Sequence, residues 1–172
     1  MTSSASSART QLTTDRLVLQ PWTAAEVGAV LDGTGSAHWA EDFPADGDRV
    51  IAGLFDDNPA WLGEYGHHLI IERDSGLVVG SIGLFWPPHE GTLEIGYGIV
   101  PSRRGRGYAP EAALASAEFA LGAPGVHTVS ATVELSNPSS VRVLEKAGFH
   151  RWTTDEDTAR FRLTQTAAGD RR

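Results

Sequence analysis

The chain contains no cysteine, and this absence removes several kinds of chemistry. Disulfides, thiolate metal sites and a cysteine nucleophile are excluded, and the absence fits a reducing compartment. No apolar run approaches the ~18 residues that cross a bilayer, and the opening segment MTSSASSA lacks the apolar centre of a secretory signal. We therefore expect a cytoplasmic protein that neither spans nor binds a membrane.

Positive charge is also scarce, because 14 Lys and Arg residues face 22 Asp and Glu residues and leave a net charge of -8. A nucleic-acid backbone demands a basic surface, so we do not expect a nucleic-acid partner. Part of the acidity is local, since the stretch 41–57 carries Asp and Glu side chains opposed only by Arg49. This stretch is either a solvated face or a rim that attracts a cationic ligand.

The length of 172 residues, 41% of them hydrophobic, predicts one domain over 1–172 with flexible tails at 1–11 and 166–172. The hydrophobic patterns predict an α+β fold. Strands are expected at 16–20, 68–73, 77–86, 93–100, 126–133, 149–153 and 158–163, and helices at 24–31, 48–55, 110–121 and 139–147. Gly96 and Gly98 are unusual inside a strand, and they indicate a bulge or the close approach of a ligand.

The most informative segment is RGRGYA at 104–109, which lies between the strand 93–100 and the helix 110–121. A glycine-rich turn that opens a helix directs several backbone N–H groups to one point, at the positive end of the helix dipole. Glycine matters there because a Cβ would hold the backbone away from a ligand. The segment predicts a phosphate or pyrophosphate site, the alternative being a plain exposed basic loop.

A second motif follows at 137–149, with the sequence NPSSVRVLEKAGF. Together the two segments resemble the GNAT superfamily of N-acetyltransferases. Arg104, Gly107 and Ala109 match its R-x-x-G-x-A loop, and Asn137 opens its N-x-x-S…L-E-K-x-G-F helix. The segment TDRLVLQP at 14–21 is similar to the opening strand of the RimJ/RimL type, the ribosomal-protein N-terminal acetyltransferases. The resemblance covers 12–163.

The resemblance implies the GNAT fold, a mixed and mostly antiparallel central sheet flanked by helices on both faces, in which the strands 93–100 and 126–133 splay apart. It also implies acetyl-CoA as the acetyl donor. The backbone of Ile99 and Val100 would hold the pantetheine arm, and Asn137, itself the expected N-cap of its helix, would contact the coenzyme. The pyrophosphate would be wrapped by Arg104, Gly105, Arg106, Gly107, Tyr108 and Ala109.

Acetyl transfer to an amine needs a base for the amine and a proton for the departing thiolate. Glu94, on the strand beside the expected gap, is the candidate base, and the alternative is a solvent-facing glutamate. Many GNAT enzymes place a tyrosine acid where this chain has Leu144. Ser140, one helical turn earlier, is the remaining hydroxyl and the candidate acid, the alternative being a plain first-turn residue. Glu111 is expected to complement the helix dipole.

We expect direct attack of a primary amine on the thioester in a ternary complex, and a protein N-terminal α-amine is the first candidate. A small-molecule amine (an antibiotic, polyamine or amino acid) and a non-catalytic CoA-binding regulatory module are the alternatives. Whether the chain forms a homodimer is left open. No metal site is expected, because the six histidines lack ligand spacing. Five aromatic residues line an acceptor pocket or simply pack in the core: Trp39, Phe43, Trp61, Tyr65 and Trp86.

Overall fold

The computed structural model describes residues 10–165. Within that range, eight strands form one sheet: β1 (Leu12–Thr13), β2 (Leu17–Pro21), β3 (His67–Glu72), β4 (Val78–Leu84), β5 (Thr92–Ile99), β6 (Thr128–Glu134), β7 (His150–Thr154) and β8 (Thr158–Thr164). The helices are α1 (Ala24–Asp32), α2 (Asp46–Leu54), α3 (Tyr108–Leu121) and α4 (Pro138–Lys146), with 3-10 turns at Pro59–Leu62 and Pro101–Arg103.

The strand order is β1-β2-β3-β4-β5-β6-β8-β7, and every pairing is antiparallel except that of β5 with β6. The predicted mixed, mostly antiparallel α+β fold is confirmed. Of the two expected tails, 1–9 and 166–172 lie outside the described residues. Thr10 is anchored, because its N–H and hydroxyl donate to the Glu64 carboxylate at 2.9 and 2.6 Å.

The two parallel strands β5 and β6 form a fork. They pair only where Thr92, Leu93 and Glu94 lie beside Thr128, Val129 and Ser130, and then they separate. The expected splay is therefore confirmed, and Glu94 occupies the last paired position. Beyond it, β5 keeps a neighbour only on the β4 side.

Helices cover both faces of the sheet. Ser81 of β4 donates to Asp48 of α2, so α2 lies on the face of Ser81 and of its cross-strand partner Gly98. Side chains alternate along a strand, so Tyr97 points to the opposite face, where the first turns of α3 and α4 surround it. The core side of α3 is built from alanines, and this lets the helix axis approach the sheet closely.

Of the two alternatives for Gly96 and Gly98, the bulge is wrong, because β5 pairs with β4 across both residues without a register shift. Gly96 instead makes room for a neighbouring ring. A Cβ at that position would lie 3.0 Å from Cζ of Phe85. Gly98 has open space at its Cβ position, so the lack of a side chain there leaves one face of β5 uncovered.

Two helix starts follow from their sequences. The Thr23 side chain accepts from the Glu26 N–H at 3.2 Å while Glu26 accepts from the Thr23 N–H at 2.8 Å, and this capping box starts α1. Asn137 caps α4 by accepting from the Ser140 N–H at 3.3 Å. Helix α3 begins at Tyr108, two residues before the predicted start, because Gly107 at φ 80° serves as its N-cap.

Candidate active site

A cleft of about 480 Å³ opens on the face of β5 that carries Tyr97. The end of β5, the segment 101–107 and the first turns of α3 and α4 surround it. Its lining is Tyr97, Gly98, Ile99, Arg103, Arg104, Gly105, Gly107, Tyr108, Ala109, Pro110, Asn137, Ser139, Ser140, Arg142, Val143 and Lys146. The two separate sequence motifs thus meet at one place.

The floor of one end of the cleft is a set of backbone N–H groups. Gly105 and Gly107 both have φ of 80°, a left-handed conformation that only glycine adopts without strain. Within the described part of the chain, the N–H groups of Gly105 and Gly107, both in the cleft lining, donate no hydrogen bond. The first-turn N–H groups of Tyr108 and Ala109 have no intrahelical partner either. Together with the positive end of the 14-residue α3, they form an anion site.

The arginines of this loop have different roles. Arg104 donates from Nε to the carbonyl oxygen of Ile99 at 2.9 Å and forms no ion pair with a described carboxylate. Arg103 and Arg106 both contact Glu72, at 3.4 and 3.1 Å. Arg106 is half-exposed and does not line the cleft. Arg104 is thus the loop cation that remains available to an anion.

Glu72 holds the loop from below, at the end of β3. Its carboxylate accepts from the Tyr108 hydroxyl at 2.6 Å and from the Ser75 hydroxyl at 2.6 Å, in addition to the two arginines. Burial alone would raise the pKa of Glu72, but these donors and the Arg103 charge outweigh it and lower the pKa. The side chain therefore stays ionised, and it forms ion pairs with both Arg103 and Arg106.

Arg16, just before β2, ties the opening strand to the same loop. Its Nη1 donates to the carbonyl oxygen of Arg106 at 2.6 Å, and its guanidinium lies over the Tyr108 ring at 5.0 Å. Glu111 in α3 accepts from the Arg16 side chain at 2.8 Å and from Thr14. Partial burial opposes it, yet these hydrogen bonds and the Arg16 charge lower the pKa of Glu111. Glu111 is thus a structural ion-pair partner as well as a first-turn acid.

Helix α4 adds two cations that the sequence analysis missed, Arg142 and Lys146. They line the cleft with Ser139 and Val143, and the spacing i, i+3, i+4, i+7 places all four on one helix face. Neither cation forms an ion pair with a described carboxylate. The helical spacing of two basic residues after the Asn motif was the signal that could have identified them.

The direction of the backbone hydrogen bonds along β5 determines which of its N–H and C=O groups face the gap between β5 and β6. Glu94 accepts from the Phe85 N–H and Val100 donates to the Val79 carbonyl, so the even-numbered residues of this strand bond to β4. The odd-numbered Tyr97 and Ile99 therefore direct their N–H and C=O groups into the gap. Val100 is completely buried, so of the two expected pantetheine contacts the structure brings only Ile99 to the cleft.

The predicted catalytic residues lie on different sides of β5. Ser140 and Asn137 line the cleft, whereas Glu94 is half-buried on the opposite face, at the point where β5 and β6 separate. Leu144, at the position of the family's tyrosine, is completely buried and does not reach the cleft. A phenol does line it: Tyr97, on β5, which the sequence analysis did not single out as a site residue.

The five aromatic residues offered as an acceptor pocket form small packing clusters in the structure. Tyr65 stacks on Trp86 with ring centroids 5.2 Å apart, and Trp39 meets Phe43 edge-on at 5.2 Å. Trp61 lies against His67, whose burial lowers its pKa to about 3. None of these aromatic residues lines the cleft described above.

Residues 10–165 contain no group of three or more His, Cys, Asp or Glu side chains that could hold a metal ion. No helix in the same range has both the length and the apolarity to cross a bilayer.

The fold, the glycine-rich loop and the Asn-capped helix define one class of protein. The family model of the acetyltransferase (GNAT) domain matches residues 16–150, and the chain belongs to this family.

Individual relatives agree with that assignment. YjdG and YnaD of Bacillus subtilis, both uncharacterised N-acetyltransferases, are 37% and 35% identical to it over 82 residues, which are 47% and 48% of this chain. The match covers 49% and 48% of those proteins, so the chain spans about half the length of the curated relatives it matches.

Among solved structures, an acetyltransferase from Agrobacterium tumefaciens superposes with a TM-score of 0.67 at 25% identity and covers 96% of this chain and 100% of its own. A Vibrio cholerae protein described as a ribosomal-protein-serine acetyltransferase gives a TM-score of 0.66 at 18% identity, covering 92% and 99%. A mutant form of the spermidine N-acetyltransferase SpeG of the same organism gives 0.64 at 15% identity, covering 88% and 95%. The last two likenesses concern the fold alone.

Proposed function

We propose that this protein moves an acetyl group from acetyl-CoA to a primary amine, by direct attack in a ternary complex. The observation that carries the proposal is the row of unbonded N–H groups at 105–109, which faces a cleft that runs to the β5–β6 fork. This arrangement suits a long ligand that is anionic at one end and reactive at the other. CoA is such a molecule.

The cleft matches the charges that CoA carries. Its pyrophosphate fits the N–H groups of the loop together with Arg104. Arg142 and Lys146, one helical turn apart on α4, are the cations placed to meet a further phosphate. The backbone N–H and C=O of Tyr97 and the N–H of Ile99 are unpaired and offer hydrogen bonds to the amides of a pantetheine arm, whereas the Ile99 carbonyl oxygen already accepts from Arg104. This chain thereby supplies a partner for each polar portion of the ligand.

The amine would approach from the face of β5 opposite the cleft, where Glu94 lies. An α-amino group titrates near pH ~8 and a lysine near ~10.4, so deprotonation at pH 7 costs about 1.4 and about 4.6 kcal/mol. A carboxylate that accepts the proton, directly or through water, is adequate for the α-amine. The Glu94 carboxylate forms no hydrogen bond or ion pair with another described side chain, and it is free to act.

For the acceptor we propose a protein N-terminal α-amine, in a RimJ/RimL-like role in the cytoplasm. The opening-strand motif supports this choice, and one structural neighbour is described as acting on a ribosomal protein. A small amine such as a polyamine is the second candidate, because another neighbour is a spermidine acetyltransferase and the stretch 41–57 is acidic. A non-catalytic CoA-binding module is the third.

One pair of variants tests coenzyme binding. Arg104→Ala should weaken CoA binding by about tenfold or more, because it removes the available loop cation. Arg106→Ala is the matched control and should weaken it much less, because that charge is already neutralised by Glu72. Equal losses in calorimetry would contradict the assignment. A thiol-release assay with acetyl-CoA and a panel of N-terminal peptides, polyamines and amino acids then separates the three candidates.

A further inference from the structure

The side chain of Tyr97 is in an unusual position for a polar group. Its hydroxyl oxygen is buried, and it has no hydrogen-bond partner within residues 10–165. A buried, unpaired hydroxyl is costly, so such a group calls for an explanation in a folded protein. The ring lines the cleft on the β5 strand, just past the point where β5 and β6 separate. The residue thus lines the cleft in which a bound ligand could supply the missing partner.

The other hydroxyl in this part of the cleft is that of Ser140. It lies near the phenol without meeting hydrogen-bond geometry. Burial raises the pKa of Tyr97, and the neighbouring Ser140 hydroxyl offsets part of that rise. The phenol therefore carries its proton at neutral pH and has a proton to donate. Ser140 in turn can donate to the phenolate that remains once the proton has left.

We propose that Tyr97 is the proton donor to the departing CoA sulfur, in place of a tyrosine on α4. This inference rests on the proposed acetyl transfer. Leu144, which occupies the α4 position, is completely buried and has no proton to donate. Tyr97 brings a phenol into the cleft from the sheet instead. Ser140 then becomes the residue that supports Tyr97 and not the acid itself.

The amine nitrogen forms the new N–C bond and loses a proton to Glu94, directly or through water. The C–S bond breaks, its electron pair goes to sulfur, and the Tyr97 hydroxyl proton passes to that sulfur. The Tyr97 phenolate accepts a hydrogen bond from Ser140 and regains a proton from solvent when CoA leaves. Glu94 releases the amine proton to solvent, which closes the cycle without a further reactant.

Calorimetry with CoA and desulfo-CoA tests the contact without any turnover. If the phenol contacts the sulfur, the wild-type protein should bind CoA about tenfold more tightly than desulfo-CoA at alkaline pH, where the thiol is ionised. Tyr97→Phe should remove most of this preference, whereas Ser140→Ala should keep most of it. The charged side chains of the cleft, Arg103, Arg104, Arg142 and Lys146, are the same in all three proteins.

Turnover provides the second readout. Tyr97→Phe should lower kcat about tenfold or more with little change in KM for acetyl-CoA, and Ser140→Ala should lower it less. The inference is overturned if wild type shows no preference for CoA, if Tyr97→Phe keeps the preference, or if its kcat is unchanged. If wild-type protein binds neither ligand or acetylates no amine, the proposed function itself fails. We expect the Tyr97→Phe protein to fold, because the substitution removes only a hydroxyl without a hydrogen-bond partner in the described structure.

Discussion

Arg16 and Arg106 are joined by a hydrogen bond of 2.6 Å from the Arg16 guanidinium to the Arg106 carbonyl oxygen. They are 90 residues apart in the sequence. The contact connects the start of the chain's second strand to the turn that forms the anion site. The same guanidinium binds Glu111, so one side chain fixes both the loop and the first turn of α3. The arginine of the opening-strand motif therefore positions the loop that lines the cleft.

Arg16→Gln should weaken CoA binding by about tenfold, because the loop loses the contact that holds its N–H groups in place before the ligand arrives. Arg73→Gln is a matched control. Arg73 also donates to carbonyl oxygens, those of Thr14 and Asp15, but it does not touch the loop. Calorimetry with CoA on both variants measures the two affinities. A loss of affinity shared by the two would mean that the whole β1–β2 turn is involved and not the loop contact.

Gly107→Val should weaken CoA binding by tenfold or more, which corresponds to at least about 1.4 kcal/mol. The residue has φ of 80°, and a Cβ there would lie 3.1 Å from Arg16 Nη2. Gly125→Val controls for backbone strain, because Gly125 has φ of 78° with open space around it and lies outside the cleft. Unchanged CoA affinity in a folded Gly107→Val protein would show that the loop does not bind the coenzyme.

Glu94→Gln should reduce turnover at neutral pH while leaving CoA affinity unaltered, since Glu94 lies on the opposite face of β5 from the cleft. The deficit should shrink as pH rises, because more of the amine arrives deprotonated. Glu118→Gln, an exposed change on α3, provides a baseline for the loss of one carboxylate. Rate measurements over pH check this. A deficit that is constant with pH indicates that Glu94 positions the acceptor and does not take its proton.

His67 should make the fold sensitive to acid. Its pKa is lowered by burial to about 3 in the folded protein, against an ordinary 6.5. Above pH 6.5 the group is neutral in both states. As pH falls from there toward 3, the unfolded chain binds a proton that the folded protein does not, and up to about 1.4 kcal/mol of stability is lost per pH unit.

His67→Phe should therefore flatten this part of the stability profile. The His67 Nε2 has no hydrogen-bond partner in the described structure, and the ring packs among Phe55, Trp61 and Phe85. We expect stability at neutral pH to be unchanged or higher in the variant. Denaturant unfolding at neutral and mildly acidic pH measures the difference. An equally steep loss in both proteins would show that other groups control the acid sensitivity.

Local features of this protein could be predicted from its sequence, because they depend on residues close together in the chain. Thr23 with Glu26, Asn137 before its helix and the glycines of the loop each carry a signal within a few positions. The mostly antiparallel sheet and the fork were implied by the resemblance to the family, whereas the strand order was not predicted. The helical spacing of Arg142 and Lys146 also indicated that they share one face of α4, although the sequence analysis missed this signal.

Contacts between distant segments could not be predicted in this way. Glu72 meets Arg103 and Arg106 across 31 and 34 positions, and nothing near Glu72 in the sequence identifies it as the partner of the loop. The facing of Tyr97 depends on the register of β5 against β4. A one-residue slip would turn it to the other face. Glu72 and Tyr97, which lie outside the family motifs, are therefore identified as site residues only by the folded structure.

The most direct measurement is a time course of acetyl-CoA with an N-terminal peptide, following free thiol by absorbance and the peptide by mass spectrometry. We predict that thiol release and addition of one acetyl group to the peptide's α-amine proceed together, and that both rates fall about tenfold or more in Arg104→Ala at limiting acetyl-CoA. Acetylation of a polyamine but no peptide would revise the acceptor alone. CoA binding with no acetyl transfer to any amine in the panel would contradict the central claim.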